Sequence, residues 1–190
     1  MDQKPRNVLW IMADQLRWDY LSCYGHPHLH TPNLDKLAQR GVRFDNAYVQ
    51  SPFCGPSRMS SYTGRYCHSH GATWNGFPLR VGEPTLGDHL RKIGVKPALV
   101  GKTHMTVDKE GMEWLGIQQG TDIGVRISEC GFDPFERDDG LHPDTLPYGE
   151  PDYNDYLREK GYETANPWNA NANSGLDDKG NRLSGWLLKY

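Results

Sequence analysis

The sequence predicts an α/β fold, in which helices cover a β-sheet. Short apolar or alternating runs that suit strands recur between amphipathic helices over the first hundred residues, an order typical of α/β domains. The 190 residues correspond to about one domain. Hydrophobic residues make up 36% of the chain, which is enough to form a buried core and argues against a disordered chain.

Three segments are predicted to be strands. Residues 7–13 (NVLWIMA) form a continuous apolar run, which suits a central strand covered on both faces. Residues 42–49 (VRFDNAYV) alternate well enough for a second strand, and residues 96–102 (KPALVGK) suit a third.

The clearest helix signal lies just after residue 30. Thr31 is a plausible N-cap, Pro32 occupies the first helical position and Gly41 follows the last turn. An apolar stripe is formed by Leu34, Leu37 and Ala38. Further helices are predicted to start after Cys54 and to occupy residues 85–94 and 153–162.

The regular pattern fades after residue 105. Residues 131–152 are rich in Pro, Asp and Gly and predict an extended surface segment. We therefore expect a motif-bearing core over residues 1–105 and an irregular, loop-rich extension over residues 106–190.

Charge and hydropathy exclude several classes of function. The net charge of −3 provides no basic surface for nucleic acid or membranes. No run approaches the roughly 18 apolar residues of a membrane span, and the first ten residues carry charges where a signal peptide needs an apolar run. These features predict a cytoplasmic protein and leave assembly into a homo-oligomer open.

The four cysteines are far apart and form no CxxC pair, which argues against zinc-ribbon and thioredoxin-like sites. Cys23, Cys67 and Cys130 are expected to be packed thiols. Cys54 opens the segment CGPSR, where a thiol at a helix N-terminus would be reactive. Arg58 lies one turn further on and would hold an anion. On this evidence alone, Cys54 is as well explained by a packed thiol.

Other polar residues follow predicted strand ends. Asp14 and Gln15 follow the first strand and suit either a turn or an oxygen site for a hard cation. Lys102 and His104 follow the third strand, and their spacing would place both on one side of an extended segment. All four would then meet at one edge of the sheet, where ligands gather.

Taken together, these motifs resemble the sulfatases of the alkaline-phosphatase superfamily, including the related phosphonate monoester hydrolases and phosphodiesterases. The central match is CGPSR (54–58), which fits the C-x-P-S-R motif of the family. Four further blocks lie in the family's order, at residues 7–19, 23–48, 62–66 (YTGRY) and 101–105 (GKTHM). The resemblance implies an alkaline-phosphatase-like mixed β-sheet flanked by helices.

The resemblance also implies a role for each motif residue. Cys54 would be oxidised by a maturase to formylglycine, whose hydrated form attacks sulfur or phosphorus and later restores the aldehyde by C–O cleavage. Asp14 and Gln15, together with residue 54, would bind one divalent cation, Ca²⁺ or alternatively Mn²⁺. Arg58 would orient the diol, while Lys102 and His104 would bind the sulfuryl oxygens and the nucleophile.

Two branches of this superfamily remain open. Gln15 stands where many sulfatases have aspartate, and Asp-Gln is familiar in the phosphonate hydrolases. That branch, however, usually lacks the Lys-x-His pair retained at Lys102 and His104. Asn75 would reach the substrate as an asparagine does in the phosphonate hydrolases. Sulfate ester hydrolysis is the favoured prediction, with phosphonate or phosphate esters as the alternative substrates.

The later metal ligands and leaving-group residues of the family find no match in these 190 residues. We therefore expect the N-terminal part of a larger catalytic domain, nearly inactive by itself. A truncated binding domain that keeps the scaffold without its chemistry is a further alternative.

Overall fold

The computed structural model describes residues 7–137 and 152–161. The chain divides into two compact units, Met1–Val49 and Gln50–Tyr190. Each unit is considered separately below.

The first unit is built around one helix and a polar network. Helix α1 (Pro32–Arg40) begins after Thr31 and ends at Gly41, which confirms the predicted helix. The hydroxyl of Ser22 donates to the carboxylate of Asp35 at 2.7 Å and accepts from the backbone N–H of Thr31 at 2.8 Å. These bonds hold the two 3₁₀ turns, Trp18–Tyr20 and Ser22–Tyr24, close to the start of α1.

The predicted strands at residues 7–13 and 42–49 are wrong for this structure. Neither segment forms a strand or a helix, and Val8 is 84% exposed. A buried strand requires hydrogen-bonded neighbours, and among described residues 7–49 there is no strand to pair with either segment. The apolar stripe of α1 is likewise exposed at Leu34 and Leu37.

The second unit contains the remaining helices. Those predicted after Cys54, at 85–94 and at 153–162 are confirmed, with bounds that differ by a few residues. The helices Cys67–His70, Lys109–Trp114 and Asp122–Ser128 are additional to the prediction. The observed helices are α2 (Cys54–Thr63), α3 (Cys67–His70), α4 (Leu86–Lys92), α5 (Lys109–Trp114), α6 (Asp122–Ser128) and α7 (Asp152–Glu159).

Among its described residues, the second unit also contains two pairs of parallel strands. Strand β1 (Pro78–Leu79) pairs with β3 (Thr106–Val107). Strand β2 (Ala98–Gly101), predicted from the sequence, pairs with β4 (Asp133–Arg137), and the register shifts between Leu99 and Val100. Strand β4 lies in the segment predicted to be extended surface, and the prediction missed it because Pro134 and charged residues hid its pattern. Parallel strands linked through helices confirm the α/β class.

A close backbone approach fixes β4 next to α4. The N–H of Gly87 donates to the carbonyl of Cys130 at 3.1 Å, and a Cβ atom at Gly87 would lie 2.4 Å from that oxygen. The side chain of Arg91 adds a bond from Nε to the carbonyl of Gly131 at 2.7 Å and an ion pair with Asp133 at 2.6 Å. The turn before β4 is thus bound to α4 by backbone and side chain together.

The core of the second unit draws its side chains from α2, α5, the strands and the segments next to them. Its buried apolar side chains are Met59, Tyr62, Ala72, Leu79, Leu99, Met105, Met112, Cys130 and Phe132.

Among residues 7–137 and 152–161, no helix is both long and apolar enough to cross a membrane. The cytoplasmic location stays a prediction.

Candidate active site

Cys54 is the first residue of α2 and is half-buried. The helix begins there because Phe53 has extended backbone angles and Pro56, in the first turn, needs no hydrogen-bond acceptor. It ends at Gly64, whose φ of 68° a glycine adopts without strain. The predicted helix start at the cysteine is confirmed.

Asn75 caps this helix from a different segment of the chain. The N–H of Gly55 donates to Asn75 Oδ1 at 2.7 Å, and the side chain of Phe53 makes no capping hydrogen bond. A Cβ atom at Gly55 would lie only 2.9 Å from the same oxygen. Asn75 therefore contacts the residue next to Cys54, close to the place that the sequence predicts for it, and its substrate contact stays a prediction.

Arg58 connects the CGPSR segment to the GKTHM segment. Its side chain is 6% exposed, and Nη1 donates to the backbone carbonyl of Lys102 at 3.0 Å. A buried guanidinium requires such acceptors, since burying a charge without partners is costly. One side chain thus ties the helix of Cys54 to the segment that follows β2.

Tyr62 lies near the end of α2 and is buried. Its ring meets Phe132 edge-on with centroids 5.9 Å apart. Burial raises the pKa of Tyr62, while the nearby guanidinium of Arg58 opposes the rise. The phenol therefore stays protonated, and its ring packs α2 against the turn before β4.

Lys102 and His104 are half-buried and follow β2 directly. The extended segment assumed for their alternation ends early, because strand β2 stops at Gly101 and His104 has a φ of 57°, and their placement on one side stays a prediction. The backbone turns at this position, so strand periodicity does not apply.

Asp14 and Gln15 belong to the first unit, where both are exposed on a bend. Gln15 has a φ of 53°, a conformation that residues other than glycine rarely adopt and that is enriched at functional sites. Their carboxylate and amide oxygens are the donors that hard divalent cations prefer. The pair fits part of a cation site, and a complete shell needs further ligands.

Two histidine groups have local structural roles. His26 Nδ1 accepts from the backbone N–H groups of His28 and Leu29 and so closes the turn before α1. His70 Nδ1 accepts from the N–H of Ala72. The proton is therefore on Nε2, which faces the hydroxyl of Ser60 at 2.8 Å. Burial lowers the pKa of His70.

The thiols differ in burial. Cys130 is fully buried, and burial followed by the carboxylate of Glu129 raises its pKa well above the usual value. Cys23 and Cys67 are half-buried, and neither forms a disulfide. The packed thiol expected from the sequence is thus clearest at Cys130.

Sequence reasoning missed a buried polar network beside Lys102 and His104. Its members are Thr103, Glu129 and Arg137, which are 0%, 2% and 4% exposed. No motif marks Glu129 or Arg137, because the network depends on β4 and α6, two elements that the sequence did not predict.

Comparisons with known proteins agree with this arrangement. A family model described as "Sulfatase" matches residues 6–133. The N-acetylglucosamine-6-O-sulfatase of Bacteroides thetaiotaomicron is 31% identical over 165 residues, which cover 86% of this chain and 26% of that protein. Human arylsulfatase A is 35% identical over 154 residues, covering 72% of this chain and 30% of the relative.

A solved structure shares the fold. The phosphonate monoester hydrolase of Agrobacterium radiobacter superposes with a TM-score of 0.63 at 31% identity, over 81% of this chain and 28% of that one. The chain thus spans about a quarter to a third of the length of these proteins. The alkaline-phosphatase-like fold predicted from the sequence is confirmed as an incomplete α/β part, and the chain belongs to the sulfatase family.

Proposed function

We propose that this chain forms the N-terminal part of a sulfatase catalytic domain and that the whole protein hydrolyses sulfate esters. The observation that carries the proposal is the bond from Arg58 Nη1 to the carbonyl of Lys102. It holds the helix of the C-x-P-S-R motif against the GKTHM segment, which supports one shared site for two family motifs 44 residues apart.

The chain's residues have distinct roles in this proposal. Cys54, at the first turn of α2, presents its side chain at the positive end of the helix dipole, which favours a developing negative charge. Buried Arg58 fixes this helix and adds positive charge. Lys102 and His104 supply the cationic and proton-donating groups that a sulfate ester requires.

Two groups complete the chemistry. Oxidation of Cys54 by a maturase would supply a hydrated aldehyde as nucleophile, and half-buried Cys54 suits this change better than fully buried Cys130. Asp14 and Gln15 would supply oxygen ligands to a divalent cation. When bound, this ion supplies positive charge that balances the transferred group. Ca²⁺ is the first candidate and Mn²⁺ the second.

The proposal is tested with the complete protein, expressed together with a formylglycine-generating maturase. We expect hydrolysis of an aryl sulfate by the parent protein and its loss in Cys54→Ala. Apart from residue 54, the two proteins have the same sequence. Unchanged sulfate hydrolysis in Cys54→Ala would refute the proposed nucleophile and favour a scaffold without this chemistry.

A specific observation supports phosphonate esters as the second candidate. Asn75 contacts the residue beside Cys54, and the chain resembles a phosphonate monoester hydrolase. The two candidates are separated by kcat/KM for the sulfate and phosphonate esters of one phenol. A large preference for the phosphonate would make phosphonate hydrolysis the first candidate function and sulfate hydrolysis the second.

A further inference from the structure

We infer that Thr103, Glu129 and Arg137 are positioning residues for Lys102 and His104, an inference that rests on the proposed function. Thr103 lies between these two candidate site residues in the chain. Its hydroxyl donates to Glu129 Oε2 at 2.6 Å, and Arg137 Nε donates to Glu129 Oε1 at 2.9 Å. One carboxylate therefore joins the post-β2 segment, the end of α6 and the end of β4.

The location of this network argues for more than packing. The ion pair and the hydroxyl are buried in the second unit, within a core that is otherwise largely apolar. An apolar set of the same volume often stabilises a protein as well as a buried ion pair does. Hydrogen bonds with fixed geometry, in contrast, restrict a segment to one conformation, which is what a site segment requires.

Backbone conformation gives independent support. Three residues other than glycine have positive φ among those that the structure describes, and they are Gln15, His104 and Cys130. His104 directly follows Thr103, and Cys130 directly follows Glu129. Such conformations persist where the surroundings fix them. The Thr103–Glu129 bond lies beside both turns, and it is well placed to hold His104 in its left-handed conformation.

Further bonds fix the same segment from other sides. The carbonyl of Lys102 accepts from Arg58, and the N–H of Met105 points to Thr103 Oγ1 at 3.4 Å. The segment 102–105 is therefore bound to α2 on one side and to the network on the other. Its two candidate functional side chains project from a backbone that buried groups hold.

The test removes one hydroxyl in the complete protein. In Thr103→Val, kcat/KM for the aryl sulfate is expected to fall roughly 10- to 100-fold, as when groups that orient a site are lost, whereas Thr103→Ser restores most of it. In a second readout, which needs no turnover, His104 is carbethoxylated with diethyl pyrocarbonate and the rate is followed by peptide mass spectrometry. This rate should differ from that of the parent protein in the valine variant and return to the parent value in the serine variant.

Ser128→Ala is the matched control. Ser128 is buried beside Glu129, and its hydroxyl donates to the carbonyl of Gly124 at 2.8 Å within α6. This variant loses a buried hydrogen bond of the same kind without touching the network. It should lower the melting temperature without changing kcat/KM or the reactivity of His104.

The outcomes separate this inference from the proposed function. If Thr103→Val and Ser128→Ala alter only stability, the positioning role is refuted. If the parent protein hydrolyses neither ester, the proposed function fails, and the carbethoxylation rate of His104 decides the positioning role by itself. If Thr103→Val does not fold, Arg137→Lys perturbs the far end of the same network and is judged by the same two readouts.

Discussion

Replacing Asn75 by alanine removes the side-chain acceptor that caps the start of α2 and tests how the helix of Cys54 is held. Asn75 Oδ1 accepts the N–H of Gly55 at 2.7 Å. Loss of a helix cap costs about 0.5–2 kcal/mol. Because Asn75 is half-buried, we expect a loss of about 1 kcal/mol, equal to a fall in melting temperature of roughly 2–8 °C for one domain.

A charge variant separates capping from catalysis. Asn75→Asp keeps an oxygen acceptor and adds a negative charge at a helix N-terminus, which is worth about 0.3–1 kcal/mol to the helix. Its stability should therefore match or exceed that of the parent. The same charge would repel a sulfate ester next to residue 54, so sulfate hydrolysis should fall even though the protein is stable.

The assay is urea unfolding monitored by circular dichroism, with ester hydrolysis measured on the same samples. Ser61→Ala serves as the control, because its exposed hydroxyl bonds to the carbonyl of Ser57 within the same helix, and such surface changes cost less than about 0.5 kcal/mol. If Asn75→Ala is as stable as Ser61→Ala, or if Asn75→Asp is less stable than Asn75→Ala, our account of this cap is wrong.

Three further predictions concern buried groups. Glu129→Gln removes the negative charge that faces buried Arg137, so the free energy of unfolding, measured in urea, should fall by about 3 kcal/mol. A fall no larger than that of a surface substitution would contradict the buried ion pair. Burial lowers the pKa of His70, so its contribution to stability is complete above the unfolded pKa and is lost as pH falls below about 6.5. In His70→Gln, which keeps a donor near Ser60, the melting temperature should depend less on pH between pH 5 and 7. A pH dependence equal to that of the parent protein would refute this. Burial raises the pKa of Cys130, so iodoacetamide at neutral pH should leave this thiol unmodified in the folded protein, and rapid labelling would contradict its burial.

Local signals in the sequence predicted helices well. Thr31, Pro32 and Gly41 mark the ends of α1, and the cysteine motif marks the start of α2. These elements are specified by caps and turn residues close in sequence, which act whatever the rest of the chain does. Strands behaved differently, because a strand at residues 7–13 depends on partners that the described part of the first unit does not contain.

The candidate site was predictable in its residues but not in its connections. Cys54 and Lys102 were recognised from motifs, whereas the bond from Arg58 to the carbonyl of Lys102 involves a backbone atom, which no residue pattern reveals. The same holds for Thr103 and Glu129, whose contact spans 26 residues and depends on how β4 and α6 pack.

The central claim is that Cys54 is the precursor of the nucleophile. Peptide mass spectrometry of the complete protein, purified as active enzyme after expression with a maturase, tests it most directly. The account predicts that the peptide containing residues 54–58 carries an aldehyde in place of the thiol and that hydrolysis of aryl sulfate rises with the modified fraction. Active enzyme in which Cys54 is entirely an unmodified thiol would contradict it.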